Sequence, residues 1–179
     1  MAMMRMAELN PIVFLDFDDI VVLNHTYGAY DLFAPNPPPE LWTQLFDLAA
    51  MALLRGVLKE FDARVVITSS WLRLLDREGL VALCAKTGHQ FLADALHGAW
   101  EAPQNRFQTR AQAIERWLAS NHRGEPFVIL DDALSGTGLV GSAFDKSGRV
   151  VMCEVGIGLL ASHIPAISVA LNAPLKGAR

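Results

Sequence analysis

Two pairs of aspartates and one run of hydroxyls each stand directly after a short apolar stretch. Asp16 and Asp18 follow Ile12-Val13-Phe14-Leu15, and Asp131 and Asp132 follow Phe127-Val128-Ile129-Leu130. Thr68-Ser69-Ser70 follows Val65-Val66-Ile67. Clustered carboxylates can hold a hard cation, attack as nucleophiles or move protons. Four of them in one crevice repel one another unless a cation such as Mg²⁺ joins them. A single aspartate after a strand is ordinarily a turn former, and Thr68-Ser69-Ser70 alone would cap a helix starting near Trp71. That cap would still turn N–H groups toward the crevice, which suits a phosphate. The repetition at three strand ends is what points to a site.

The apolar stretches have the length and β-branched content of central strands buried on both faces. Val150-Val151-Met152-Cys153 reads as a fourth strand and Gln90-Phe91-Leu92 as a weaker one. Between them, apolar residues recur at three and four over Leu41 to Leu58, Leu72 to Lys86 and Arg110 to Ser120, the helical period. A last helix spans about Gly158 to Leu171 and must accommodate Pro165. Alternating strands and helices imply a parallel sheet covered on both faces, because parallel pairs need crossovers. Ligands of such sheets bind beyond the carboxyl ends of the strands, where all three polar clusters fall. With a spacing of two, Asp16 and Asp18 start on one side and Phe17 turns into the packing. Asn24 to Pro39 and Gly98 to Thr109 read as irregular segments.

At 179 residues, 52% hydrophobic and 19% charged, the chain suits one compact unit, with a core from about Pro11 to Leu171. A formal charge of −4 provides no overall basic field for non-specific nucleic-acid binding. Cys84 and Cys153 match no zinc spacing and read as reduced thiols of a cytoplasmic protein. The first eight residues hold no signal-peptide-like run, and Glu154, His163 and Pro165 interrupt the most apolar later region.

In order and spacing, these residues resemble the haloacid dehalogenase (HAD)-like hydrolase superfamily. Its Asp-x-Asp motif is matched by Asp16-Phe17-Asp18, its strand-closing Thr or Ser by Ile67-Thr68-Ser69, and its acidic pair by Asp131-Asp132. Thr68-Ser69-Ser70-Trp71 and Ala113-Ile114-Glu115-Arg116-Trp117-Leu118 resemble a compact branch that includes domains of RNA-repair proteins. The resemblance implies a three-layer Rossmann-like α/β fold and a Mg²⁺-dependent phosphohydrolase. Asp16 would be the nucleophile and Asp18 the acid and base. Mg²⁺ would be held by Asp16, the backbone carbonyl of Asp18, and Asp131 or Asp132. Counting from the strand favours Thr68 as the phosphate-binding hydroxyl, whereas counting back from Trp71 favours Ser69. Arg110 is the leading candidate for the superfamily's cation, with Arg106 and Lys86 as alternatives. The superfamily commonly has Gly after the second acid, and here it is Asp19, whose side chain restricts the turn and adds charge.

Dehalogenases of this superfamily need no second acid, so Asp18 favours phosphate chemistry. A receiver domain fits poorly, because its phosphorylated aspartate ends a middle strand, and here Val65-Val66-Ile67 ends in hydroxyls. A non-catalytic binding module on the same fold is the remaining alternative, raised by Asp19. Neither Asn24 to Phe61 nor Leu72 to Pro126 has room for a large cap. An open crevice would admit a phosphorylated nucleic-acid end or another accessible phosphoester, and Tyr27 and Tyr30 could stack there.

Overall fold

The computed structural model describes residues 9–173. One sheet holds five parallel strands in the order β3-β2-β1-β4-β5. These are β1 (Ile12–Leu15), β2 (Arg64–Ile67), β3 (Leu96–Glu101), β4 (Phe127–Asp132) and β5 (Val150–Cys153). Among the described residues seven α-helices accompany them: α1 (Leu41–Gln44), α2 (Leu48–Phe61), α3 (Arg77–Lys86), α4 (Gln90–Asp94), α5 (Arg110–Asn121), α6 (Ala143–Lys146) and α7 (Ile164–Asn172).

Side chains alternate across a strand, so each central strand feeds two cores. Val13, Leu15, Val65, Ile67, Val128 and Leu130 pack with residues of α2, α3 and α7. Ile12, Phe14, Val66, Phe127 and Ile129 pack with Ile114 and Trp117 of α5. Phe14 is fully buried and meets Trp117 and Phe127 edge-on, with centroids 5.2 and 5.7 Å apart. Helices thus cover both faces, which is the three-layer α/β, Rossmann-like arrangement read from the sequence. Cys84 and Cys153 are buried free thiols, pushed up by burial to about 11 and about 12.

Several boundaries differ from the expected ones. Gln90-Phe91-Leu92 is not a strand but part of α4, and the chain forms β3 a few residues later. Strand β3 lies at the sheet edge and is only partly buried, so Leu-His-Gly-Ala-Trp-Glu carries no apolar run. The helix expected over Leu41 to Leu58 is broken before Asp47, which caps α2 by accepting from the Ala50 N–H at 2.8 Å. The helix expected from Leu72 is preceded by a 3₁₀ turn over Ser70–Arg73; α3 starts only after Asp76 accepts from the Gly79 N–H. The last helix does not bend at Pro165, because α7 starts there, where the missing N–H costs nothing.

Between β1 and β2 lie only a 3₁₀ turn at Ala29–Phe33, α1 and α2, so no second sheet covers the crevice among the described residues. No described helix is long and apolar enough to cross a membrane.

Candidate active site

The sheet order reverses direction between β1 and β4, and such a reversal opens a crevice at the carboxyl ends. Leu15 pairs with both Ile67 and Leu130, so the next residues, Asp16, Thr68 and Asp131, emerge side by side. Bonds from the Asp16 N–H to Leu130 O and from the Thr68 N–H to Leu15 O extend the ladder to this point. By strand alternation all three continue the rows of Phe14, Val66 and Ile129, on the face covered by α5. Arg110, the first residue of α5, reaches them there.

Asp16, Asp131 and Asp132 are essentially inaccessible to solvent, and each offers a carboxylate oxygen within 4.8 Å of the others. In every case one oxygen is tethered. Oδ1 of Asp16 accepts from the Phe17 N–H at 2.8 Å, and Oδ1 of Asp131 from the Asp132 N–H at 2.9 Å. Oδ1 of Asp132 accepts from Leu134 and Ser135 at 2.6 and 3.2 Å. Among the described residues Oδ2 has no hydrogen-bond partner in any of the three. The chain beyond β4 turns tightly to supply these donors, and a Cβ at Gly136 would fall 2.6 Å from the Asp132 carbonyl oxygen.

The Arg110 guanidinium is buried with them, its Nε 2.9 Å from Asp131 Oδ2 and its Nη2 3.6 Å from Asp16 Oδ2. The Nε–H is not aligned on Asp131, so the pair is ionic without a well-formed hydrogen bond. Three carboxylates against one guanidinium leave a formal surplus of two negative charges, matching one divalent cation. Burial raises the pKa of both Asp16 and Asp131, against the opposing pull of Arg110, and takes Asp131 to about 8. The unpartnered oxygens, their spacing and their all-oxygen chemistry fit a hard cation.

Thr68 is fully buried with an unpartnered Oγ1. Ser69 is buried too, but its Oγ accepts from the Trp71 N–H at 3.3 Å. The helix expected near Trp71 is a single 3₁₀ turn whose cap uses the Trp71 N–H, so it supplies no extended helix N-terminus. Lys86 sits over the Trp42 ring, 3.4 Å from its centroid, and Arg106 is exposed beside Phe107. Neither joins the acids, whereas Arg110 does.

The Asp18 carboxylate lies outside the three-acid cluster. After Asp16 the chain leaves the sheet, and Val21 and Val22 donate their N–H groups back to the Phe17 carbonyl. This turn points Asp18 elsewhere: Oδ2 accepts from Trp71 Nε1 at 3.0 Å and Oδ1 from Asn24 Nδ2 at 3.0 Å. Trp71 is held edge-on against Phe17. Sequence reasoning used Trp71 only as a landmark and missed Asn24. A buried indole needs an acceptor for its N–H, and that need was the available signal. Asp19 has a left-handed φ of 59°, the conformation that favours glycine. Its Oδ1 accepts from the Gly156 N–H at 2.8 Å, so its charge is engaged by the loop after β5.

A cavity of about 620 Å³ lined by Arg64, His97 and His122 lies at the amino ends of the strands, away from the acids. Another, of about 500 Å³, is lined by Asn24, Tyr27 and Phe46 beside the Asp18 loop, while Tyr30 is exposed.

No curated protein and no solved structure matches the chain. A family model described as the HAD domain in Swiss Army Knife RNA repair proteins matches residues 12–164, a span that runs from β1 into α7 and includes every residue placed in the crevice. The chain belongs to this family of HAD domains.

Proposed function

We propose that the protein is a Mg²⁺-dependent phosphohydrolase that works through an aspartyl-phosphate on Asp16. The observation that carries this reading is the set of three tethered aspartates, each with a free Oδ2, beside Arg110 and the unpartnered Thr68 hydroxyl. Magnesium would be held by Asp16, the Asp18 backbone carbonyl and Asp131 or Asp132, and when bound it supplies charge neutralisation of the phosphoryl oxygens.

The bond from Phe17 N–H to Oδ1 fixes the Asp16 carboxylate and leaves Oδ2 to attack phosphorus. The bond from phosphorus to the ester oxygen breaks as the new one to Asp16 forms. Asp18, outside the cluster and partly exposed, gives its proton to the departing oxygen. It then takes a proton from water, whose oxygen attacks phosphorus, releasing phosphate and regenerating the Asp16 carboxylate. Arg110 and Thr68 bind the equatorial oxygens as charge shifts onto them.

The substrate is a phosphorylated nucleic-acid end or a similarly accessible phosphoester. The uncovered crevice and the RNA-repair description of the family support this class. Hydrolysis of an aryl phosphate should require Mg²⁺ and fall at least a thousandfold in Asp16→Asn. Robust turnover by that variant would refute the mechanism. Absence of turnover by the wild type with every divalent metal would leave a phosphate-binding module that does not react.

A further inference from the structure

Charge is distributed unevenly around the crevice. From Asp16 to Leu54 the sequence has six acidic residues and no Lys or Arg, and the loop after β5 adds Glu154. The opposite side differs. Past β2 come Arg73 and, at the start of α3, Arg77, interspersed with Asp76 and Glu78, and the loop after β3 carries Arg106, five residues beyond Glu101. All three are exposed, and none forms an ion pair among the described residues. Arg73 lies four residues beyond Ser69, and Arg106 four before Arg110, so both loops lead directly out of the site.

Aromatic surface accompanies these cations. Phe107 is 92% exposed, the most exposed large hydrophobic side chain among the described residues, with Arg106 5.6 Å from its ring. Its exposure is built into the loop. Gln108 donates its N–H to the Asn105 carbonyl at 3.0 Å, Gln104 bonds back to the Gln108 carbonyl, and Arg116 ties down Gln108 Oε1 at 2.8 Å and the Pro103 carbonyl. Where the chain after β2 meets the end of β3, a cavity of about 490 Å³ is lined by Arg73, Arg77 and Trp100, with Asp76 and Glu101 beside them. Cations that track a backbone, alternating with aromatic faces, are the chemistry of single-stranded nucleic-acid binding.

We infer that a single-stranded polynucleotide leaves the crevice over the β2–β3 side, its phosphates on Arg73, Arg77 and Arg106 and a base stacked on Phe107. Asp31, Glu40 and Glu154 on the opposite side repel the strand and set its direction. The inference rests on the phosphohydrolase reading only for the position of the terminal phosphate.

The test is fluorescence anisotropy with 5′- and 3′-phosphorylated RNA dinucleotides, tetramers and octamers in Mg²⁺, checked for folding by circular dichroism. The wild type should bind octamers at least tenfold more tightly than dinucleotides. Arg73→Ala/Arg77→Ala/Arg106→Ala should weaken octamer binding at least tenfold and flatten its log–log salt slope by about 2, from about 0.7 per lost phosphate contact. Phe107→Ala should weaken it about tenfold through lost stacking. Lys59→Ala, on α2 toward the amino ends of the strands, should change nothing. Equal affinity for dinucleotide and octamer would overturn the inference, as would unchanged binding by the triple variant or an equal loss in Lys59→Ala. Self-association abolished by Phe107→Ala, with no octamer binding, would overturn it in favour of a second copy of the chain. Length-dependent binding that needs the three arginines, with no phosphate release, would uphold the strand path while refuting the phosphohydrolase reading.

Discussion

Trp71 donates its indole N–H to Oδ2 of Asp18 at 3.0 Å, across 53 positions of sequence. This bond explains why the second acid of an Asp-x-Asp motif does not collapse onto the buried cluster formed by the first. The same indole packs edge-on against Phe17, the residue between the two acids. The motif is therefore spread apart by its own middle residue and by the turn after β2.

Trp71→Phe keeps most of the packing and removes the donor. If Asp18 protonates the leaving oxygen, the defect should depend on how much that oxygen needs a proton. We expect kcat to fall about tenfold or more for an alkyl phosphate and much less for p-nitrophenyl phosphate, within the range ascribed to general acid catalysis. Equal losses on both substrates would mean that Trp71 only supports the fold.

Among the described residues Arg110 is the sole cation at the buried acids, with Asp16 and Asp131 both leaning on it. Its removal leaves their charges uncompensated in a dry site. Arg110→Met should cost about 3–5 kcal/mol of unfolding free energy in metal-free buffer above pH 8, where Asp131 is ionised, the range for breaking a buried pair. Mg²⁺ should recover part of that loss while activity stays low. Urea denaturation with and without Mg²⁺ measures both. An unaltered midpoint in metal-free buffer would show that Arg110 is not bearing the acids' charge.

Much of this was legible because strand chemistry is local. A short β-branched run ending in acid or hydroxyl fixes both the strand and the end at which the polar group emerges, which is how β1, β2 and β4 could be aligned. Strand β3 was not legible, since an edge strand need not be apolar; the apolar Gln90-Phe91-Leu92 instead belongs to α4. Spacing of two suggested that Asp16 and Asp18 share a side. That holds only while the chain stays extended, and the turn onto the Phe17 carbonyl ends the extension at once. The ties from Trp71 and Asn24 to Asp18 depend on tertiary closure and leave only the weak signal of a buried indole.

Burial raises Asp131 to about 8 and pushes Asp16 in the same direction, so the metal-free fold holds protons on this pair more tightly than the unfolded chain does. The unfolded chain releases such protons near pH 4. A raised carboxyl contributes its full stability below that value and loses it progressively as pH climbs toward 8. The metal-free melting temperature should therefore fall between about pH 4 and 8 from this cause. Mg²⁺ competes with the protons, so the rise in melting temperature at fixed Mg²⁺ should grow over the same interval. Differential scanning calorimetry across pH checks both trends, and a Mg²⁺ effect that shrinks with rising pH would contradict them.

Asp19 occupies a left-handed conformation and holds the Gly156 N–H at 2.8 Å. The two effects oppose each other on substitution. Asp19→Gly removes the cost of a side chain at positive φ, about 1 kcal/mol, and loses a hydrogen bond of similar size, so stability should change by less than about 1 kcal/mol. Asp19→Ala loses the bond and keeps the strain, and should cost about 1–2 kcal/mol more than Asp19→Gly. Because the Asp19 carboxylate is committed to the loop after β5, we expect aryl phosphatase activity of Asp19→Gly within about threefold of the wild type. A gain of tenfold or more would mean that the aspartate restrains catalysis at the position where the superfamily commonly has glycine.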